Sequence, residues 1–129
     1  MKKIIYAFII ALVVFAVYKL VSYKPNINSS LADDKADIIL FWGNGCVHCE
    51  KVKKYIIDNK IDSKLAIKQK EVFYNKQNQM DFTEITKKCT TLTADEKGGV
   101  PLAFSNIDNT CISGDTPIID YIQQQITKR

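Results

Sequence analysis

From residue 37 onward, the pattern of apolar and polar positions alternates between runs typical of buried strands and stripes typical of amphipathic helices. Four apolar runs predict strands, at residues 37–42, 65–74, 100–104 and 110–112. Apolar residues at helical spacing predict three helices: one after the cysteines that ends at Asn59, one from Met80, and one from Asp115. Polar connections are predicted at residues 75–79, 93–99 and 106–109. The predicted order is β-α-β-α-β-β-α in one α/β domain.

The first 21 residues have a different pattern, an apolar run behind a basic start. Residues 4–18 carry no charged side chain, and Lys19 interrupts the run near its end. This pattern is typical of either a cleaved secretory signal or a single membrane anchor. Bulky residues stand where a signal peptidase requires small ones, and the 18 residues from Ile4 to Val21 are about the minimum length of a span. Residues 1–21 are therefore predicted to form a transmembrane anchor helix.

Residues 22–36 are rich in Ser, Asn and Asp and predict a linker between the anchor and a domain at 37–129. Four of the 18 basic residues precede residue 25, and the remaining 14 balance the 14 acidic residues. A formally neutral domain does not indicate nucleic-acid binding, which requires a clustered basic face. An N-terminal anchor usually leaves the following domain outside the cytoplasm, and an even number of cysteines suits an oxidising compartment. We therefore expect a single-pass membrane protein with an extracytoplasmic domain, on the periplasmic or cell-surface side.

The strongest chemical signal is the Cys-x-x-Cys motif at residues 46–49. A predicted strand and a glycine-containing turn precede the motif and a helix follows it, which places Cys46 at a helix N-terminus. Unpaired backbone N–H groups and the helix dipole favour a thiolate there, and a thiolate is the attacking species in disulfide exchange. Cys49 would resolve the mixed disulfide, and His48 could add positive charge. The alternatives are a permanent disulfide and half of a metal site.

Other residues complete a recognisable pattern around this motif. They are Phe41-Trp42 before the turn, Val100-Pro101 at the start of the third strand, and Gly114-Asp115 before the last helix. In this order the chain resembles the thioredoxin superfamily and, within it, the glutaredoxin-like branch. The resemblance implies a thioredoxin-like fold, with a four-stranded mixed sheet flanked by three helices. It also implies a cis peptide bond before Pro101, and substrate binding by Val100, Pro101, Gly114 and Asp115, although Asp115 is equally well explained as a helix cap.

Within that resemblance, Val47 and His48 are the residues that tune the redox potential. A histidine before the second cysteine resembles the disulfide-oxidising thioredoxin-fold proteins of the bacterial periplasm, which have proline at the position of Val47. Thioredoxins have a buried acid where this chain has Leu40, and glutaredoxins have a lysine where it has the glycine-containing turn. The direction of electron flow is therefore open, and glutathione is a partner that needs testing.

Cys89 and Cys111 have three interpretations: a second disulfide, two separate buried thiols, or a second redox relay. The four cysteines could also hold zinc, although no second Cys-x-x-Cys is present. The sequence thus predicts a membrane-tethered thiol–disulfide oxidoreductase that exchanges with protein thiols and disulfides, depends on a redox-recycling partner, and uses no cofactor or metal. The alternative is a thioredoxin-fold binding or metal-binding module without redox turnover.

Overall fold

A computed structural model describes residues 2–21 and 35–129 of the 129-residue chain. The helices are α1 (Lys2–Val21), α2 (Val47–Asp58), α3 (Lys76–Lys88), α4 (Ala94–Gly98) and α5 (Asp115–Thr127), with a 3-10 turn at Ile61–Ser63. The strands are β1 (Ile38–Trp42), β2 (Ile67–Glu71), β3 (Leu102–Ser105) and β4 (Thr110–Ser113). The predicted mixed α/β architecture is confirmed, with α4 added between α3 and β3.

The four strands form one mixed sheet in the order β2-β1-β3-β4. β1 pairs in parallel with β2 and antiparallel with β3, and β3 pairs antiparallel with β4. A parallel pair requires a crossover connection, which α2 supplies between β1 and β2. The antiparallel pair β3–β4 is the predicted hairpin, and Asn109 in its turn has a φ of 55°, a left-handed conformation that Asn tolerates well.

Both faces of β1 are covered, as its unbroken apolar sequence predicts. Ile38 and Leu40 pack against α2 and α5, whereas Ile39 and Phe41 alternate to the opposite face and pack against α3. Full burial of each side chain stabilises the fold by about 1.5–3 kcal/mol. The central strand is therefore held between two layers, and the cysteine motif begins just beyond its C-terminal end.

Helix α3 begins at Lys76, earlier than the predicted start at Met80. The polar turn predicted at residues 75–79 is therefore wrong beyond Asn75, which caps the helix by accepting a 3.1 Å hydrogen bond from the backbone N–H of Asn78. The first turn is polar because it faces solvent. Further along, buried Asp81 pairs with buried Lys70 of β2 at 2.7 Å. This lysine occupies an inward position, which explains the imperfect apolar alternation of β2 and the overlong prediction of residues 65–74 for that strand.

Helix α4 replaces the loop predicted at residues 93–99. The Thr93 hydroxyl accepts a hydrogen bond from the Glu96 backbone N–H, and the Glu96 carboxylate accepts one from the Thr93 backbone N–H at 2.8 Å. The hydrogen bonds that the Glu96 carboxylate accepts from the Thr93 backbone N–H and from the Thr93 hydroxyl lower the pKa of Glu96. The reciprocal arrangement is a capping box, whose Thr-x-x-Glu signature is visible in the sequence. The short helix leads directly into Val100 and Pro101.

Helix α1 covers the apolar N-terminal segment. Among the helices in residues 2–21 and 35–129, none combines the length and the apolar character that crossing a membrane requires. The predicted transmembrane anchor therefore has no support from the structure. The predicted linker at residues 22–36 lies outside the described residues, except for its last two positions.

Candidate active site

The turn between β1 and α2 is built on two glycines. The backbone N–H of Cys46 donates a 3.2 Å hydrogen bond to the Gly43 carbonyl, which closes the turn. Gly45 has a φ of 78°, a conformation that residues with a Cβ rarely adopt. At Gly43 an added Cβ would overlap the ring of Phe73. The glycines therefore allow the chain to leave the sheet and enter α2 with Cys46 as the residue that caps the helix.

The N-cap position of Cys46 gives its sulfur a backbone hydrogen-bond donor. The sulfur accepts a hydrogen bond from the Cys49 N–H at 3.1 Å, and the Cys46 carbonyl accepts the Glu50 N–H at 3.1 Å. This is the geometry of a helix cap in which sulfur takes the place of the usual side-chain oxygen. The same N–H and the helix dipole would stabilise negative charge on that sulfur.

Cys46 and Cys49 are joined by a disulfide, with Cα atoms 5.2 Å apart. The two cysteines differ in exposure: Cys49, in the first turn of α2, is fully buried, whereas Cys46 is partly exposed. An attacking thiolate can therefore reach the sulfur of Cys46 and not that of Cys49. The asymmetry corresponds to the roles expected from the sequence, with Cys46 as the exchanging sulfur and Cys49 as the resolving one.

Val100 and Pro101 lie beside the disulfide, although 54 residues separate Val100 from Cys46. The peptide bond between them is cis. The Cys46 sulfur lies 3.6 Å from the Val100 carbonyl oxygen, so a thiol at Cys46 would have an acceptor already in place. The Pro101 carbonyl accepts a 3.0 Å hydrogen bond from the N–H of Gly114, which brings the start of α5 to the same edge of the sheet.

Asp115 contacts the motif directly. Its Oδ2 lies 3.0 Å from Nδ1 of His48 and 3.0 Å from Nζ of Lys51, and its Oδ1 accepts the Thr116 N–H at 2.9 Å. The His48 and Lys51 side chains are mostly exposed, whereas that of Asp115 is only 17% exposed. Hydrogen bonds from His48 and then Lys51 hold the pKa of the Asp115 carboxyl well below its usual range.

The prediction that Asp115 caps the last helix is wrong. The N-cap of α5 is Gly114, with a φ of 94° and no side-chain cap hydrogen bond, and Asp115 is the first helical residue. Its carboxylate is directed instead towards α2. Lys51 was missed in the sequence, although it lies one helical turn after His48 and this spacing places both on one face of α2.

The loop after β2 forms a further edge of the site that the sequence did not reveal. The Glu71 carboxylate accepts the backbone N–H groups of Phe73, Tyr74 and Asn75, and that of Asn44 in the cysteine turn at 3.4 Å. Desolvation raises the pKa of Glu71, but these four hydrogen bonds outweigh it and lower the pKa overall. The loop is thereby fastened to the cysteine turn.

Three exposed apolar side chains accompany this loop and the motif. Val47 is 71% exposed, and Phe73 and Tyr74 are 50% and 79% exposed. The Phe73 ring lies against Gly43, so it is placed next to the turn that carries Cys46. Exposed apolar groups that cluster at a reactive sulfur are typical of a surface that contacts other proteins.

Cys89 and Cys111 are also joined by a disulfide, with Cα atoms 5.6 Å apart. Cys89 is the C-cap residue of α3 and Cys111 lies in β4, and both are buried in the apolar cluster around Phe41. The described residues contain no group of three or more His, Cys, Asp or Glu side chains arranged to hold a metal ion. Zinc ligation by all four cysteines would require both disulfides to be reduced and their sulfurs to converge.

No protein-family model matches the chain, and no curated protein matches it. The structure itself has a four-stranded mixed sheet with helices and a Cys-x-x-Cys disulfide at the start of a helix. These features are compatible with the thioredoxin-like fold that the sequence resembles. The arrangement brings His48, Val100, Pro101, Gly114 and Asp115 into one region around Cys46.

Proposed function

We propose that this protein is a thiol–disulfide oxidoreductase of the thioredoxin superfamily that exchanges disulfides with other proteins through Cys46 and Cys49. The observation that carries the proposal is the placement of Cys46. Its sulfur caps α2, accepts a backbone N–H, and is partly exposed, whereas its partner sulfur is buried. These are the properties that thiol exchange requires of an attacking or attacked sulfur.

The exchange reaction balances with two thiols and one disulfide. A substrate thiolate attacks the Cys46 sulfur, a mixed disulfide forms, and the Cys46–Cys49 bond breaks to release the Cys49 thiolate, which takes a proton. A second substrate thiolate then attacks the substrate sulfur of the mixed disulfide, and Cys46 leaves as a thiolate stabilised at the helix N-terminus. The substrate loses two electrons and two thiol protons. The protein gains both electrons and one proton, at Cys49, and the other proton passes to solvent while Cys46 remains a thiolate. The reverse sequence reduces a substrate disulfide.

The surface around Cys46 favours a protein substrate. Val47, Phe73 and Tyr74 offer exposed apolar contacts on either side of the cysteine turn. Glutathione is less favoured, because the Asp115 carboxylate that would hold its ammonium group already pairs with Lys51 and His48. We therefore expect protein thiols and disulfides as substrates, and a second redox protein that restores the starting state.

The cellular location is part of the same proposal and is supported by the cysteines and the N-terminal sequence. Two disulfides suit an oxidising compartment, so the domain is proposed to be extracytoplasmic. Attachment to the membrane through residues 1–21 is supported only by their apolar sequence. Fractionation of cells tests the membrane attachment, and protease treatment of intact cells or spheroplasts tests the extracytoplasmic location. The proposal requires that the protein is found in the membrane fraction and that its domain is degraded by protease added from outside.

The test of the exchange function is a redox titration of the full-length protein against glutathione buffers, with Cys46→Ser and Cys49→Ser beside the wild type. The wild type should show one exchangeable cysteine pair. Cys46→Ser should show no exchange at residues 46 and 49, and Cys49→Ser should accumulate mixed disulfides at Cys46. A wild type without an exchangeable pair, or a Cys46→Ser protein that exchanges equally well, overturns the proposal. A potential near about −270 mV would indicate a reductase, and one near about −120 mV an oxidase.

A further inference from the structure

One carboxylate links the first turn of α2 to the first turn of α5. The Oδ2 atom of Asp115 lies 3.0 Å from Nδ1 of His48 and 3.0 Å from Nζ of Lys51, while Oδ1 accepts a hydrogen bond from the Thr116 N–H. His48 lies between the two cysteines and Lys51 lies one turn further along α2. The carboxylate thus contacts the two basic side chains closest in sequence to the exchanging sulfur.

We propose that Asp115 is a positioning residue that holds His48 and Lys51 away from Cys46 and, through its own negative charge, keeps the reduction potential of the Cys46–Cys49 pair low. The inference rests on the proposed exchange function and adds to it the residue that regulates its equilibrium. In the thioredoxin superfamily, the two residues between the cysteines tune the reduction potential. Here a residue 67 positions away from His48 acts on them through a side-chain contact.

The charges of Asp115, His48 and Lys51 set the direction of this effect. Asp115 is ionised, and Lys51 is its direct partner. Whether or not His48 is protonated, removal of the Asp115 charge makes the net charge of these three side chains one unit more positive. A more positive group stabilises the Cys46 thiolate, and stabilisation of the thiolate favours the reduced protein. The pair with Asp115 present is therefore a weaker oxidant than the pair without it.

Geometry acts in the same direction as charge. While Asp115 accepts the Nδ1 contact, the imidazole of His48 is directed towards α5 and is not free to rotate towards the sulfur. Loss of the carboxylate releases both His48 and Lys51, whose side chains are 65% and 60% exposed and can therefore change rotamer. After release, a cation can approach the thiolate when the disulfide opens.

Two other carboxylates lie near the motif in the described residues, Glu50 and Glu71, and the contacts of both are with groups other than His48 and Lys51. Glu71 accepts backbone N–H groups, including that of Asn44 in the cysteine turn. On α2, Glu50 pairs with Lys53 at 3.1 Å. The segment before β3 contributes the Val100 carbonyl oxygen, which contacts the Cys46 sulfur rather than His48. On α5, Thr116 contributes only its backbone N–H. Asp115 is therefore the carboxylate through which the potential responds.

The experiment measures the equilibrium constant of the full-length protein with glutathione at pH 7 for wild type, Asp115→Asn and Lys51→Gln. Asp115→Asn should shift the equilibrium towards the reduced protein by about threefold to tenfold, the effect of one charge at a partly solvated site. This corresponds to about 15–30 mV more positive. The thiolate absorbance of Cys46 should titrate at lower pH. Lys51→Gln should shift both quantities in the opposite direction, because it removes a cation that pairs with Asp115.

Asp62→Asn is the matched control, since Asp62 is exposed in the 3-10 turn at the other end of α2. Asp62→Asn removes the same charge beyond the far end of α2, whose length is about 18 Å at 1.5 Å per residue. It should therefore leave the equilibrium constant unchanged. Asp115→Glu should restore most of the wild-type value because it restores the charge.

An Asp115→Asn equilibrium constant equal to that of the wild type, or a shift matched by Asp62→Asn, overturns the inference. The wild-type and Cys46→Ser titrations separate this result from failure of the exchange function, since wild type would still exchange and Cys46→Ser would not. Thermal unfolding of each oxidised variant identifies any loss of fold. If Asp115→Asn unfolds, Asp115→Ser, which also removes the charge, carries the test, and an equilibrium constant equal to that of the wild type then overturns the inference.

Discussion

The two disulfides of this protein contain the same bond in two different environments. The Cys46–Cys49 bond spans three positions at the start of a helix, with one partly exposed sulfur beside charged side chains. The Cys89–Cys111 bond spans 22 positions and is buried between the end of α3 and the edge strand β4. Access and local electrostatics, rather than the bond itself, distinguish the disulfide that we propose to exchange from the one that crosslinks the buried core.

The stabilising role of the second disulfide follows from the loop that it closes. A crosslink over 22 residues limits the unfolded chain much more than one over three residues does. This bond also brackets the segment that contains α4, Val100 and Pro101. It therefore fastens both ends of the connection that brings the Val100 carbonyl to the Cys46 sulfur.

The largest expected effect is selective reduction. Limited dithiothreitol treatment of the oxidised protein should reduce Cys46–Cys49 roughly 100-fold faster than Cys89–Cys111, because a reductant reaches the Cys46 sulfur and not the buried pair. Timed alkylation followed by peptide mass mapping measures both rates. Equal rates in the folded protein would show that the two environments do not differ in the way the structure indicates.

The second expected effect is a loss of stability without a loss of exchange. Replacement of both Cys89 and Cys111 by Ala should lower the free energy of unfolding by about 3 kcal/mol, as expected for a crosslink over a loop of this size. Urea unfolding of the oxidised protein measures this change. The glutathione equilibrium of Cys46–Cys49 should remain that of the wild type. A large change in that equilibrium with unaltered stability would instead favour a redox relay between the pairs.

A third prediction concerns substrate contact at the exposed site. Phe73→Ser should lower the rate of exchange with an unfolded protein substrate by about threefold to tenfold, as expected when an exposed aromatic contact is lost. Exchange with a small dithiol should be unchanged, because a small molecule does not need the apolar surface. Ile107→Ser, at an exposed residue of the β3–β4 turn, is the matched control. Equal loss with both substrates would indicate damage to the cysteine turn through Gly43.

The smallest expected effect is the pH dependence of the Asp115 contact. The folded-state pKa of Asp115 is depressed, so its contribution to stability is fully present above the unfolded-state pKa, which is about 3.9. The contribution is lost as pH falls below that value towards the folded-state pKa. Asp115→Asn should therefore be less stable than the wild type at pH 7, and the difference should shrink below about pH 4. Chemical unfolding at several pH values measures it, and a constant difference would contradict the assignment.

Much of the fold could be predicted because each strand and helix has its own local pattern. The apolar run of β1 indicates burial on both faces, and Ile118 and Ile122 mark the buried stripe of α5. The failures occurred where polar residues have tertiary roles. Lys70 and Asp81 neutralise each other in the interior, so the period of β2 could not be read from hydrophobicity. The start of α3 could not be read from it either, because the first turn of that helix is polar and faces solvent. The capping box of α4 was visible, but its helix is too short for a periodic signal.

Local sequence patterns were sufficient to place the candidate exchange site, a Cys-x-x-Cys motif, at a helix N-terminus, because strand, turn and helix each have a local pattern. The groups that surround the motif follow from tertiary packing. The sheet order β2-β1-β3-β4 places Val100 beside Cys46, and the packing of α5 on α2 directs Asp115 to His48 and Lys51. It also pairs Cys89 with Cys111. The reason is physical: pairing over tens of residues depends on how the layers pack, which local propensity does not encode.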